Sequence, residues 1–315
     1  MKLEIRKSYV ILGAVSSWEL KLFREIAATR SMSKGAAHSG VSQSAASQHV
    51  QELERRLGVT LLDRTRRPLE LTPAGKAYND FCRDVLRREE DLALELEPLK
   101  RQVEGTLRVA SIYSIGLSDM TRMQDEFAAR YPTVQLQVEY MHPEKVYEAV
   151  LNDTADLGLV SYPHARREIA AIAWREEEMH VAVPPSHPFA GRRVVHPADL
   201  SGQTFIGFDE DLSIRRELDR FFRAQGVDVN LAMHFDNIQT IKEAVVLGSG
   251  ISILPARTMQ AEIAQGRLVA VKLDAPGLVR PVGVVHRKRK KFSRAAQSFI
   301  ELLTAPVPEP EPVGV

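Results

Sequence analysis

Residues 40–58 read Gly40-Val41-Ser42-Gln43-Ser44-Ala45-Ala46-Ser47-Gln48-His49-Val50-Gln51-Glu52-Leu53-Glu54-Arg55-Arg56-Leu57-Gly58: a tight turn, a helix and a glycine stop. At about 100° per residue, Ala46, Val50, Leu53 and Leu57 fall within a narrow arc and form the stripe to be buried. Ser44, Ser47, Gln48, Gln51 and Arg55 cluster on the opposite side. Short hydroxyls and amides followed by a guanidinium can approach a major-groove floor, hydrogen-bond base edges and reach phosphate. Ser42 suits an N-cap and Gly58 a left-handed stop. A polar helix face of this kind also fits plain solvation, so the neighbouring sequence decides between the two.

Upstream, Trp18 to Arg30 carries Leu20, Phe23, Ile26 and Ala27 at helical spacing, and Ser33 to Ser39 is a short helix with Ala36 and Ala37. Two short helices, a glycine turn and a third helix are the order of a helix-turn-helix. Downstream, Thr60 to Thr72 reads as two short strands around a basic loop, a wing whose Arg64, Arg66 and Arg67 suit phosphates or a minor groove. From Glu19 to Lys76 ten Lys and Arg face six Asp and Glu, a local net of +4 in a chain whose total is +1. The near-neutral whole conceals a basic module.

Ala36-Ala37, Val41 to Ser47, Leu53-Glu54, Leu57-Gly58-Val59, Leu62, Arg64 and Leu71-Thr72-Pro73-Ala74-Gly75 together resemble the winged helix-turn-helix of LysR-type transcriptional regulators. Ser44 stands where that family often has Pro, Gly35 interrupts the second helix, and residues 1–16 precede the usual start, as an N-terminal extension or a misassigned start. The DNA-facing set is then Ser42, Gln43, Ser44, Ser47, Gln48, Gln51 and Arg55, with Arg64, Arg66 and Arg67 on the wing. The winged domain spans 17–72.

Thr72-Pro73 opens a further helix with a capping hydroxyl and Pro at its first position. Tyr78, Phe81, Val85, Leu92, Leu96, Leu99 and Val103 make a heptad-like stripe beside a charged face, Arg87 to Asp91. Such a helix either lies on its own domain's core or pairs with a second copy; the resemblance implies antiparallel pairing, a homodimer assembling to a homotetramer. Pro98 should end or kink it, and Glu104-Gly105 is the hinge of a linker region covering 73–105.

From Thr106 strands and helices alternate. Leu107–Ala110, a helix from Ile115 to Arg130, Val134–Tyr140, a helix from Pro143 to Asn152 and Ala155–Ser161 give βαβαβ, which calls for a parallel sheet with both faces covered. Strands near Met179–Val183, Phe205–Phe208, Leu231–Phe235, Ile251–Leu254, Leu268–Lys272 and Val282–His286 follow, with helices over Ile214–Gln225, Ile238–Leu247 and Ser293–Leu303. These make an α/β effector domain over 106–304. Lobe I takes 106–164 and 267–304, lobe II takes 165–266, and the chain crosses near Tyr162–Arg167 and Gly266. The domain resembles the family's effector-binding domain, related in fold to type 2 periplasmic binding proteins, in Asp156-Leu157-Gly158-Leu159, Pro184 to Pro188 and Val246 to Pro255. Residues 305–315 are Pro-rich, and a disordered tail is expected there.

Ligands of open parallel sheets sit beyond the carboxyl ends of strands, in the cleft between lobes. That rule selects Ser111, Tyr113, Ser114, Ser161 and Tyr162 from lobe I, and Phe208, Asp209, Asn237, Ile238 and Gln239 from lobe II. Ser114 precedes a helix whose N-terminus favours an anion, although Ser and Asn before helices are often only caps. Hydroxyls, a tyrosine and no visible cationic cage suggest a small polar, carboxylated or otherwise anionic effector. Arg287 to Lys291 is the densest basic run. It could meet DNA or a phosphorylated effector, but it lies between a strand and the last helix and reads as a solvated loop.

Nine scattered His and the single Cys82 offer no metal cluster or disulfide, and no apolar stretch reaches the ~20 residues of a membrane helix. Tyr9 to Val15 is too short and too poorly flanked for a signal peptide. No GxSxG elbow, phosphate-cradling glycine loop or GxGxxG follows a strand, so a catalyst has only the α/β fold to rest on. The reading is a cytoplasmic regulator without cofactor. Its partners are double-stranded promoter DNA, a small-molecule effector and RNA polymerase. The competing class is a soluble binding protein or enzyme that uses the N-terminal module for assembly.

Overall fold

The computed structural model describes residues 16–96, 103–115 and 120–305. The expectations for most of the N-terminal extension, for Pro98 and Leu99, and for the tail beyond 305 lie outside these residues. The chain forms two compact units, Met1–Lys100 and Arg101–Val315.

The first unit holds α1 (Ser17–Thr29), α2 (Met32–His38), α3 (Gln43–Leu57), β1 (Leu62–Asp63), β2 (Glu70–Leu71) and α4 (Pro73–Leu96). Each start is a side-chain cap. Ser16 and Glu19 make a reciprocal capping box at α1, Ser31 Oγ accepts from Lys34 N–H at α2, and Ser42 Oγ accepts from Ala45 N–H at α3. Gly58, at φ 69°, ends α3 where a side chain would be strained. Gly35 lets α1 and α2 touch: a Cβ there would lie 2.6 Å from the backbone of Ile26. The core joins Leu20, Leu22, Phe23 and Ile26 to Ala46, Val50, Leu53, Leu61 and Leu62, and is closed by Tyr78 and Cys82 of α4. Burial pushes the Cys82 thiol up to about 12, as expected of an inert packing residue.

The packing reading of α4 holds for its first part. Its first turns are a wall of the winged domain, whereas Leu92 and Leu96 stand 56% and 50% exposed. Val103 leaves the stripe and packs on the core of the second unit.

The second unit contains β3 (Gly105–Ser111), a helical turn (Tyr113–Ile115), α5 (Thr121–Arg130), β4 (Val134–Tyr140), α6 (Pro143–Leu151), β5 (Leu157–Ser161), β6 (Ile169–Val183) and β7 (Val194–Val195). There follow β8 (Thr204–Phe208), α7 (Ser213–Gln225), β9 (Asn230–Phe235), α8 (Ile238–Val246), β10 (Ser252–Pro255), α9 (Gln260–Ala264), β11 (Val269–Leu273), β12 (Val279–Arg287) and α10 (Arg294–Thr304). The main sheet runs β4-β3-β5-β12-β6-β11-β7 with β10 also on β6, and β8 pairs with β9 in a second sheet. β4, β3 and β5 are parallel, as βαβαβ requires, and β12 closes antiparallel on β5.

The lobe boundaries differ from those expected. β6 is one strand of 15 residues that serves both lobes, its first half pairing with β12 and its last residues with β10 and β11. The chain thus crosses within β6 around Glu176–Met179, not at Tyr162–Arg167, and returns between β11 and β12, not at Gly266. Leu268, Val271 and Leu273 accordingly belong to the lobe II core, and Ile169 to that of lobe I. The middle of β6 lacks an apolar strand pattern because Arg175 to Glu178 put four charged residues in a row there. The helix expected from Ile115 is seen as the turn at Tyr113–Ile115 and then α5; residues 116–119 lie outside those described.

Candidate functional site

In the first unit, packing fixes two surfaces. The buried stripe of α3 leaves Ser42, Gln43, Ser44, Gln48, Gln51 and Arg55 exposed and Ser47 half-buried. Ser42 Oγ lies 3.0 Å from Ser44 Oγ, and Arg55 Nε donates to Glu52 at 2.9 Å. On the wing, Leu62 pairs with Leu71 and Asp63 with Glu70, which holds Arg64, Arg66 and Arg67 on the connecting loop. Glu54 ties the two surfaces together: its carboxylate accepts Leu61 N–H at 2.8 Å, Leu62 N–H at 3.1 Å and Arg64 Nη2 at 2.9 Å. Arg66 meets Asp63 and Glu70 at 3.6 and 3.2 Å but is 64% exposed. Such exposed pairs are cheap to exchange for phosphate.

In the second unit, a cleft runs between the lobes at the carboxyl ends of the strands. Lobe I supplies Ile112, Tyr113 and Ser114 after β3, Met141 to Glu144 after β4, Tyr147 of α6, and Ser161 and His164 at the end of β5. Lobe II supplies Phe208, Asp211 to Ile214, and Asp236 to Ile238. Arg280 of β12 reaches the cleft from the strands that join the lobes.

Arg280 is 2% exposed. Its Nε donates to Glu177 Oε2 at 2.9 Å and its Nη1 to Ser114 Oγ at 2.9 Å. Glu177 Oε1 also accepts from Arg175 Nε and Nη2 at 2.9 and 2.8 Å. One buried carboxylate thus serves two guanidiniums. Burial pulls Arg280 below the usual arginine value, with Glu177 opposing the shift, and a guanidinium stays protonated regardless. Nearer the mouth, Arg166 grips Glu144 through both oxygens at 2.7 and 3.0 Å and lies 3.9 Å over the Tyr147 ring. The hydrogen bond from Arg166 holds Glu144 ionised, below the ordinary carboxylate value, against a smaller opposing effect of burial. His142 meets Asp211 across the cleft at 3.4 Å.

The structure brings Tyr113, Ser114, Ser161, Phe208, Asn237 and Ile238 together around this cleft. It does not bring four other selected residues there. Ser111 is fully buried and its hydroxyl donates to the Ile112 carbonyl. Tyr162, at φ 50°, turns against the lobe II core. Asp209 is paired with His234, and Gln239 reaches along α8 to Glu243. Asn237 is a true cap, its Oδ1 accepting Thr240 N–H at 2.9 Å, while also lining the cleft.

The expected lack of a cationic group is corrected by Arg280, whose ion-pair partner lies 103 residues away and leaves no local signal. The segment from Met141 to Glu144 was legible, since the strand-end rule applied to β4 selects it. The basic run is corrected as well. Arg287 and Lys290 are inward members of an ion network, with Arg287 on Asp153 and Glu168, and Lys290 on Asp156, which also holds Arg108.

The family model described as "LysR substrate binding domain" matches residues 100–306, and "Bacterial regulatory helix-turn-helix protein, lysR family" matches residues 18–76. The chain is 28% identical over 289 residues to the RuBisCO operon transcriptional regulator of Allochromatium vinosum, covering 92% of this chain and 95% of that one. It is 24% identical to the HTH-type transcriptional regulator CysL of Bacillus subtilis (strain 168), covering 90% and 95%. Among solved structures, full-length OxyR C199D from Pseudomonas aeruginosa superposes with a TM-score of 0.71 at 20% identity over 92% of this chain and 94% of that one. Full-length CbnR in complex with its target DNA gives 0.63 at 22% identity, over 92% and 99%. With both family models matched in chain order, the chain belongs to the LysR family of bacterial transcriptional regulators.

Proposed function

We propose that this regulator reads double-stranded promoter DNA through Ser42, Gln43, Ser44, Ser47, Gln48, Gln51 and Arg55 of the α3 region and steadies it with Arg64, Arg66 and Arg67. An anionic small molecule in the inter-lobe cleft modulates that activity. The observation that supports the effector reading is Arg280, a buried guanidinium that lines the cleft and donates to the Ser114 hydroxyl. A carboxylate or phosphate group placed there gains a charge-assisted bond out of bulk water. The apolar walls formed by Ile112, Met141, Phe208 and Ile238 suit a small organic body. The protein works in the cytoplasm as a homodimer through α4 and as a homotetramer, and engages RNA polymerase at the promoter; the exposed Leu92 and Leu96 support the pairing. No catalytic step is assigned to it.

A thermal-shift screen of carboxylated and phosphorylated metabolites tests the effector reading. Hits should be anions, and Ser114→Ala should weaken them several-fold. An anion that binds equally well to Ser114→Ala and Arg280→Met would remove the cleft from the proposal. For DNA, promoter fragments are compared with random duplex, beginning with a RuBisCO operon promoter because two relatives are named for that operon. Ser47→Ala and Gln48→Ala should reduce the preference for the promoter, and Arg66→Ala should weaken both duplexes.

A further inference from the structure

The ion network at the base of lobe I leaves a charge pattern that folding alone does not explain. Among the described residues, Asp153, Asp156 and Glu168 are paired with Arg108, Arg287 and Lys290. Beside them Arg167, Lys288 and Arg289 are exposed, and none has a side-chain ion pair or hydrogen bond among the described residues.

These three come from segments 120 residues apart that the sheet brings together. Arg287 pairs with Ile169 at the end of the β6–β12 ladder, and Lys288 N–H continues it by donating to the Glu168 carbonyl at 2.9 Å. Arg167 is therefore held next to the 288–289 turn. Lys290 N–H closes that turn on the Arg287 carbonyl at 3.1 Å. Like charges gathered across a strand pair destabilise it. A sequence that buries Arg287 and Lys290 as internal anchors and turns Arg167, Lys288 and Arg289 outward has a fixed cationic face at a cost in stability. β5 pairs with both β3 and β12, so the 287–291 turn is level with Arg108 of β3.

We propose that Arg167, Lys288 and Arg289 form a second, sequence-independent DNA contact that takes phosphates flanking the site read by α3. This rests on the reading of the winged unit as the DNA-binding module. The chemistry is that of mobile cations against a polyanion, which supplies affinity and not specificity. Such a contact on the effector domain would let the effector domain bear on DNA directly.

The test uses the full chain, with random-sequence duplexes of about 20 and about 60 base pairs so that only the longer offers flanking phosphate. Binding is followed by fluorescence anisotropy against salt for the wild type, for Arg167→Gln/Lys288→Gln/Arg289→Gln, and for Arg66→Ala. Three phosphate contacts contribute about 2.7 to the salt slope per engaged protomer, or about a 40-fold loss of affinity between 50 and 200 mM salt. The triple variant should lose that part of the dependence on the long duplex and match the wild type on the short one. Arg66→Ala should weaken both. A triple variant with the wild-type slope on the long duplex, beside a weakened Arg66→Ala, overturns the flanking contact and leaves the winged module intact. Equal weakening on both lengths also overturns it. Unchanged DNA binding with impaired transcription in vitro would give the face to an acidic protein instead. Arg66→Ala without effect on either duplex would count against the DNA reading itself.

Discussion

Glu177→Gln is the most searching single perturbation of the effector domain. Glu177 and Arg280 are cross-strand partners on β6 and β12, where the chain changes lobes. The carboxylate receives two N–H groups from each of two guanidiniums. An amide has one acceptor oxygen and presents its NH₂ to the other guanidinium, donor against donor. One arginine must then lose both bonds. Arg175 can relax toward water, its side chain being 18% exposed, whereas Arg280 at 2% cannot. Breaking a buried pair by removing one partner costs about 3–5 kcal/mol, a large part of the ~5–15 kcal/mol that holds a domain folded. Arg280→Met in the same chain should recover part of the loss, a coupling of about 2 kcal/mol, because the stranded charge is gone. Trp174 provides the assay: Arg175 lies 4.0 Å over its ring, so its fluorescence reports this junction during urea unfolding, with Trp18→Phe removing the signal of the winged unit. A Glu177→Gln loss below about 1 kcal/mol, or strict additivity with Arg280→Met, would mean that water already solvates the pair and that the cleft floor is not dry.

Other outcomes follow from the same structure. Gly35→Ala should destabilise the winged unit by about 1–3 kcal/mol in thermal melts, since the overlap with the Ile26 backbone outweighs the ~1 kcal/mol gained in helix propensity; a raised melting temperature would refute that balance. At Asp156, burial raises the carboxyl pKa but the charges of Lys290 and Arg108 outweigh it, so the net shift is downward. Its stabilisation is present above the ordinary carboxylate value and is lost as pH falls through the lowered one. Asp156→Asn should accordingly cost about 2 kcal/mol at neutral pH, with the gap to wild type closing on acidification; a gap independent of pH would contradict the network. Leu92→Glu/Leu96→Glu should shift the light-scattering mass toward monomer without lowering the melting temperature of the winged unit, because each buried leucine contributes about 1.5–3 kcal/mol to a helix pair and nothing to its own domain. An unchanged mass would return α4 to a purely internal role.

What could be read from sequence followed the range of the interactions. The stripe Ala46, Val50 and Leu53, the Ser42 cap and the Gly58 stop are local, and each stands where periodicity placed it. The parallel strands and their cleft followed from the βαβαβ order, and strand ends located six of the ten selected cleft residues. Arg280 did not, because its role comes from Glu177 and Ser114, which are distant in the chain. β6 was half missed for a related reason: residues 174–178 form the junction between lobes, where a long strand carries charge instead of an apolar alternation. Arg287 and Lys290 look solvated in a basic run until the fold sets Asp153 and Asp156 beside them. Gly35, odd for a helix interior, makes sense only once Ile26 is in place.

The carboxylate of Glu54 has a consequence for how specificity could change over time. It belongs to α3 yet holds the first strand of the wing by two backbone N–H groups and by Arg64. Backbone amides are present whatever side chains the wing carries, so residues 65–69 can drift while this anchor stays. The angle between α3 and the wing is inherited as a unit, and only their surface chemistry is open to revision. New operators would be acquired by rewriting what the two elements touch, with no change in how far apart they touch it.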